Sequence, residues 1–165
     1  MVQGSGCLNY ALVLRIAEGN STHSISAANR FIMERNRAAI QSALSHLPSG
    51  VSVCGHTDLA VGDLKFSGNA QRRRKNFLLF HGTLLLDFDL KLVGELLNMP
   101  SLQPDYRGRR PHGEFVTNLG IAEARVKHEL SQVWGANEAA RDHPVEQVAR
   151  LVAEKYSRPE WNQKF

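Results

Sequence analysis

The order of apolar patterns along the chain predicts an α+β fold, a mixed sheet with helices packed on it. Short apolar runs recur at 9–16, 51–53, 58–61, 64–67 and 77–86. Longer patterns of helical period lie at 24–47, 121–134 and 145–156. Strands and helices come in mixed order, with no internal repeat and no low-complexity segment.

The first run carries Tyr10, Leu12, Val13, Leu14 and Ile16 behind two glycines, too short for a buried helix, and reads as a strand. Over 24–47 the apolar residues Ile25, Ala28, Ile32, Ala39, Ala43 and Leu47 share one helical face, with Arg30, Glu34 and Arg37 turned away. Pro48-Ser49-Gly50 is expected to stop that helix. The runs at 58–61 and 64–67 flank Gly62-Asp63, which predicts a tight hairpin with Gly62 at positive φ. In the second of them, simple alternation puts Lys65 and Ser67 on one face and Leu64 and Phe66 on the other. A basic turn, Arg72-Arg73-Arg74-Lys75, leads to an apolar strand over 77–86 broken by His81-Gly82. Asp87-Phe88-Asp89 is placed to cap a short helix over 90–97. The stretch 100–114, rich in Pro, Gly and Arg, reads as an exposed loop, and two helices follow it.

The bulk numbers fit one domain over residues 1–165, with 42% hydrophobic and 22% charged residues. Cys7 and Cys54 are too few for a disulfide framework and have no metal-ligand spacing, so a cytoplasmic setting is expected and no metal site. No apolar run approaches a membrane span, and the start lacks a signal-peptide layout, so no membrane partner is expected. The net charge of +4 is modest, and the basic clusters at 72–75 and 107–110 fit solvated turns or an acidic protein partner. Nucleic acid is not expected, because aromatic residues are not interleaved with the cations.

Chemistry concentrates around Lys65. An ammonium beside Ser67, Gly68 and Asn69 suits a phosphate or carboxylate, since Ser67 offers a hydroxyl and Gly68 lets backbone N–H groups come close. Asp58 opens the neighbouring strand, where it could balance that ammonium or hold a ribose hydroxyl; a plain turn carboxylate is the other reading. Gly82 within a strand marks a bulge or a close backbone approach to a ligand. His81 is either a hydrogen-bonded structural histidine or part of the same pocket, and Cys54 reads as a small buried residue.

Four ordered segments carry a resemblance. Thr57-Asp58-Leu59-Ala60-Val61, Lys65-Phe66-Ser67-Gly68-Asn69-Ala70-Gln71-Arg72, Phe80-His81-Gly82-Thr83-Leu84-Leu85-Leu86 and Val116-Thr117-Asn118-Leu119 resemble, in order and spacing, signatures of the lipoate-protein ligase A family. That family lies within the biotin/lipoate A/B protein ligase superfamily, so the resemblance implies its class II synthetase-like fold. It also implies a two-step reaction in which lipoate and ATP, with Mg2+, give lipoyl-adenylate, which a lysine on a lipoyl carrier domain then attacks. The carrier would be of the 2-oxoacid dehydrogenase E2 or glycine cleavage H protein type. Lys65 matches the family's catalytic lysine, Thr57 and Asp58 match positions near the adenosine, and Ser67, Gly68, Asn69, His81, Gly82 and Thr83 match pocket walls.

The segment Gly4-Ser5-Gly6-Cys7-Leu8-Asn9-Tyr10 resembles the strand that follows the family's Arg-x-Ser-Gly-Gly-Gly loop. That loop is not in this sequence, and the family's C-terminal accessory domain is not visible in it. The expectation is therefore an N-terminally incomplete ligase domain, either a fragment of a longer protein or one whose missing part a separate polypeptide supplies, and no activity from this chain alone. Two alternatives stand beside it: an octanoyltransferase working through a cysteine thioester without ATP, and a non-catalytic carrier-binding module.

Overall fold

A computed structural model describes residues 2–44, 50–140, 142 and 144–163. One sheet of five strands organises the molecule in the order β1-β5-β4-β3-β2, where β1 is Cys7–Arg15, β2 Val51–Cys54, β3 Asp58–Val61, β4 Leu64–Arg74 and β5 Phe77–Leu85. All four strand pairs are antiparallel, and a single parallel bridge between Lys65 and Val116 makes the sheet mixed. The α+β architecture is as the sequence predicts. The predicted hairpin is present, with Gly62 at φ 60.

One face of the sheet is covered. Helix α1 (Ile25–Ala43) buries Ala28, Ile32, Met33, Asn36, Ala39 and Ile40 against Leu8, Leu59, Leu78, Phe80 and Leu84. Its start is fixed by Ser24, whose hydroxyl accepts from the Ala27 N–H at 3.2 Å. The stop predicted at Pro48-Ser49 lies outside the described residues. Helix α4 (Glu123–Trp134) packs beside α1 through Val126, with Phe31 and Trp134 edge to face at 5.9 Å. Residues alternating with the covered ones stand on the other face: Arg15, Val13, Ala11 and Asn9 on β1, Phe77, Leu79, His81 and Thr83 on β5, and Arg74, Arg72, Ala70 and Gly68 on β4. Among the described residues no helix lies across this face.

Four local expectations change. The register between β3 and β4 slips, so that Leu59 pairs with Ser67 but Ala60 with Lys65, leaving Phe66 as the extra residue of a β-bulge. Phe66 and Ser67 both turn to the covered face, 0% and 2% exposed, while Lys65 stays on the open one. Lys65 and Ser67 thus sit on opposite faces, contrary to simple alternation. The basic segment 72–74 belongs to β4, not to a turn, and only Lys75 and Asn76 make the turn, with Lys75 at φ 50. The stretch 100–114 is not an open loop throughout: it holds a 3-10 turn at Asp105–Arg107 and the start of helix α3 (His112–Phe115). Arg107 is 4% exposed, its guanidinium 4.7 Å from the Phe115 ring and donating to the Arg110 carbonyl. Finally, Cys54 is half-buried at the end of β2, not enclosed.

Helix α2 (Lys91–Leu96) begins where predicted, with Asp89 accepting from the Lys91 N–H at 3.1 Å. Helix α5 (Val145–Leu151) runs into a π turn at Val152–Tyr156, and helix α6 (Pro159–Asn162) closes the described chain. No helix among the described residues is long and apolar enough to cross a membrane.

Candidate active site around Lys65

The bulge at Phe66 sets the site. It frees Lys65 from the pattern of its strand, and the side chain crosses the open face over Gly68 to reach Asp58. The Lys65 Nζ lies 2.7 Å from the Asp58 Oδ1. A Cβ on Gly68 would sit 3.2 Å from both Cε and Nζ of Lys65, so the bare backbone is what lets the ammonium lie flat there. The second oxygen of Asp58 accepts a hydrogen bond from the Tyr106 hydroxyl at 2.8 Å. Burial, then the bond and charge of Asp58, push the Tyr106 phenol far above its ordinary value, so Tyr106 remains a donor.

Tyr106 is held in place by its own loop. Its ring packs 5.2 Å from that of Phe115, and Arg110 ties the loop to the β3–β4 hairpin through Asp63 at 2.7 Å. The main-chain N–H of Thr117 donates to the Lys65 carbonyl at 2.9 Å, and the amide of Asn118 clamps the Phe88 backbone from both sides. The segment Val116-Thr117-Asn118-Leu119 therefore fixes the backbone beneath Lys65.

Two depressions meet at the Lys65–Asp58 pair. One, of about 590 Å³, is lined by Asn9, Lys65, Gly68, His81 and Thr83. The other, of about 830 Å³, runs past Thr57, Leu102, Pro104 and Tyr106. Both are of small-ligand size. His81 is exposed on the open face and makes no side-chain hydrogen bond among the described residues, which removes the reading of a hydrogen-bonded structural histidine. Thr83 donates to Asn9 at 2.6 Å, and Gln3 reaches both.

Asn69 and Gly82 do something else. Both side-chain directions point to the covered face, where a Cβ on Gly82 would lie 1.7 Å from the Asn69 Oδ1. Gly82 marks a close approach, as its place in a strand suggests, but the group that approaches is the Asn69 amide. That amide donates to the Thr57 carbonyl at 2.7 Å while the Thr57 hydroxyl donates to the Asn69 carbonyl at 2.6 Å. On its other side it accepts from the Tyr10 hydroxyl at 2.5 Å, which accepts from Asn36 at 2.7 Å, which in turn accepts from the Trp134 indole at 2.8 Å. A buried polar chain thus runs from α4 through α1 to the residue beside Asp58. Ser67 belongs to this inner layer too, accepting from Asn69 at 3.2 Å.

Of the residues singled out in the sequence, Lys65, Asp58, Gly68, His81 and Thr83 share the open face and Thr57 lines the second depression. Ser67, Asn69 and Gly82 place their side-chain positions beneath it, although Asn69 and Gly82 still line the first depression while Ser67 does not. Tyr106, Tyr10 and Asn9 were not singled out; a lone tyrosine inside a Pro-, Gly- and Arg-rich loop is the only mark that could have pointed to Tyr106. No cluster of three or more His, Cys, Asp or Glu side chains suited to a metal occurs among the described residues.

Comparison with known proteins bears on this geometry. A family model described as the lipoyl protein ligase A/B catalytic domain matches residues 1–133. Lipoate–protein ligase 1 of Staphylococcus aureus is 28% identical over 170 residues, spanning 96% of this chain and 49% of that protein. Octanoyltransferase LipM of Kyrpidia tusciae is 29% identical over 117 residues, 64% of this chain and 43% of that protein. The chain thus spans at most about half the length of these curated relatives. Among solved structures, a lipoate-protein ligase A bound with ATP superposes at a TM-score of 0.72 with 24% identity, over 95% of this chain and 65% of that one. A bi-partite lipoate protein ligase from Thermoplasma acidophilum, described together with its E2 lipoyl domain, gives 0.72 with 22% identity over 96% and 64%. These likenesses establish the biotin/lipoate ligase type of fold.

Proposed function

Because the chain belongs to the lipoyl protein ligase A/B catalytic domain family, we propose that its open sheet face takes part in ATP-dependent attachment of lipoate to a lysine of a carrier domain, with Lys65 at the reacting centre. The observation that carries this reading is the position of the Lys65 ammonium, 2.7 Å from Asp58 where two ligand-sized depressions meet. The acyl chain would lie along the Gly68, His81 and Thr83 depression and the adenosine in the one past Thr57 and Tyr106.

In the first step a lipoate carboxylate oxygen bonds to the α-phosphorus of ATP and pyrophosphate leaves. In the second the carrier amine bonds to the acyl carbon, the bond from that carbon to the phosphate oxygen breaks, AMP leaves and the amine loses a proton. Both steps concentrate negative charge on acyl and phosphate oxygens, and Lys65, held in position by Asp58, would face it. A preorganised cation in a partly dehydrated site is worth several kcal/mol to such a step. Mg2+ would arrive with the ATP phosphates, and Lys65 would add its own positive charge beside them. We further propose that residues 1–165 act as one catalytic domain, which the family match over residues 1–133 supports.

The test is transfer of lipoate to an apo carrier domain, read by mass, with and without ATP. ATP-dependent lipoylation that falls on the order of 100-fold in Lys65→Met is expected. Full activity in Lys65→Met would overturn the assignment.

A second reading has one specific observation behind it. Cys54 is the direct cross-strand partner of Asp58, which brings a thiol to the neighbourhood of Lys65, and an octanoyltransferase is among the relatives. ATP-independent acyl transfer between carriers that disappears in Cys54→Ser would favour this thioester route over the ligase.

A further inference from the structure

The open face carries a second feature, at the end of the sheet away from Lys65. Val13, Phe77 and Leu79 stand there 69%, 54% and 39% exposed. They occupy two successive rows: Val13 opposite Leu79 opposite Arg72, then Arg15 opposite Phe77 opposite Arg74, with Lys75 in the adjoining turn. A shallow depression of about 510 Å³ runs between them.

Alternation explains why these particular cations are outside. Arg73 turns to the covered face and donates to the carbonyls of Thr22 and His23 at 2.8 and 3.0 Å, whereas Arg72 and Arg74 are exposed. None of Arg15, Arg72, Arg74 and Lys75 pairs with a carboxylate among the described residues. Four uncompensated cations around three exposed apolar side chains combine self-repulsion with apolar hydration. A carboxylate-bearing surface with an apolar centre relieves both at once. The strip also leads to the site, since the rows between it and Lys65 carry only Ala11, Ala70 and His81. Four residues of strand separate Leu79 from Thr83, about 13 Å at roughly 3.3 Å per residue. A small domain seated on the strip would have its surface within reach of an acyl group held beside Lys65. Phe77 is the only aromatic of the patch, which disfavours nucleic acid, whose bases would need stacking platforms.

We propose that this strip is the docking surface for the acceptor, a folded carrier domain whose target lysine is surrounded by carboxylates. The inference rests on the reading of Lys65 as the acyl-transfer site.

The charge-reversal variant Arg74→Glu/Lys75→Glu separates the two claims, because neither residue touches the Lys65 site. Lipoate-dependent exchange of pyrophosphate into ATP reports adenylate formation without the acceptor, and lipoylation at varied apo carrier concentration reports docking. The variant is expected to keep the exchange rate and raise the carrier KM about tenfold or more. The wild-type KM should climb between about 50 and 500 mM salt, and the variant's should climb less. Phe77→Ser should raise KM with an unchanged salt slope. A carrier KM indifferent to both charge reversal and salt overturns the proposal, as does a variant that loses affinity for an oligonucleotide or for anionic phospholipid vesicles while its carrier KM stays put. If the wild-type chain catalyses no exchange by itself, calorimetric titration of the carrier into the chain decides docking: a tenfold weakening in the variant supports it, equal affinity sinks it.

Discussion

Gly82 has no side chain because the Asn69 amide occupies the place its Cβ would take, 1.7 Å away. Gly82→Ala should therefore force Asn69 off Thr57 and cost about 1–3 kcal/mol by overpacking, measurable by denaturant unfolding. Gly68→Ala is a different case: its Cβ would press on the mobile end of Lys65 at 3.2 Å, so ligand affinity should fall while stability stays within about 1 kcal/mol. Lys65 and its counter-ion Asp58 were legible in the sequence, because a lysine beside Ser-Gly-Asn and a carboxylate across a two-residue hairpin are local patterns. Tyr106 was not, since its bond to Asp58 joins residues 48 positions apart. Nor was the role of Gly82, whose close neighbour proved to be another strand's side chain.

Alternation along β4 is legible only as far as the strand is regular, and one extra residue at Phe66 reverses the face of everything after it. Ser67 thereby moves from the expected site wall to the inner layer with Asn69, so Ser67→Ala should lower stability and leave ligand binding unchanged. The same layer contains Tyr10, whose phenol burial pushes well above its ordinary value of 10.0, partly offset by the bond from Asn36. A raised folded value means that the stabilisation is complete below about pH 10 and is lost as pH climbs above it. The melting temperature should accordingly drop in that alkaline range, and Tyr10→Phe should flatten the drop. At neutral pH the same substitution should cost about 1–3 kcal/mol, because it leaves the Asn36 and Asn69 amides facing a gap.

On the scale of the whole molecule, the fold divides labour between the two sides of one sheet. Helices and a polar chain from Trp134 to Thr57 brace one side, and the other presents Lys65 at one end and a basic, apolar strip at the other. The strands and the long helices were legible from periodicity, since each buries a single face. That no described helix covers the open side was not, because its apolar residues alternate with polar ones as they would beneath a packed helix. The direct test of this account is the affinity of a non-hydrolysable lipoyl-adenylate analogue for the chain and its variants. Lys65→Met should bind at least about tenfold more weakly, the loss of one charge-assisted contact, with Ser67→Ala indistinguishable from the parent. Equal affinity in Lys65→Met, or an equal loss in Ser67→Ala, would contradict it.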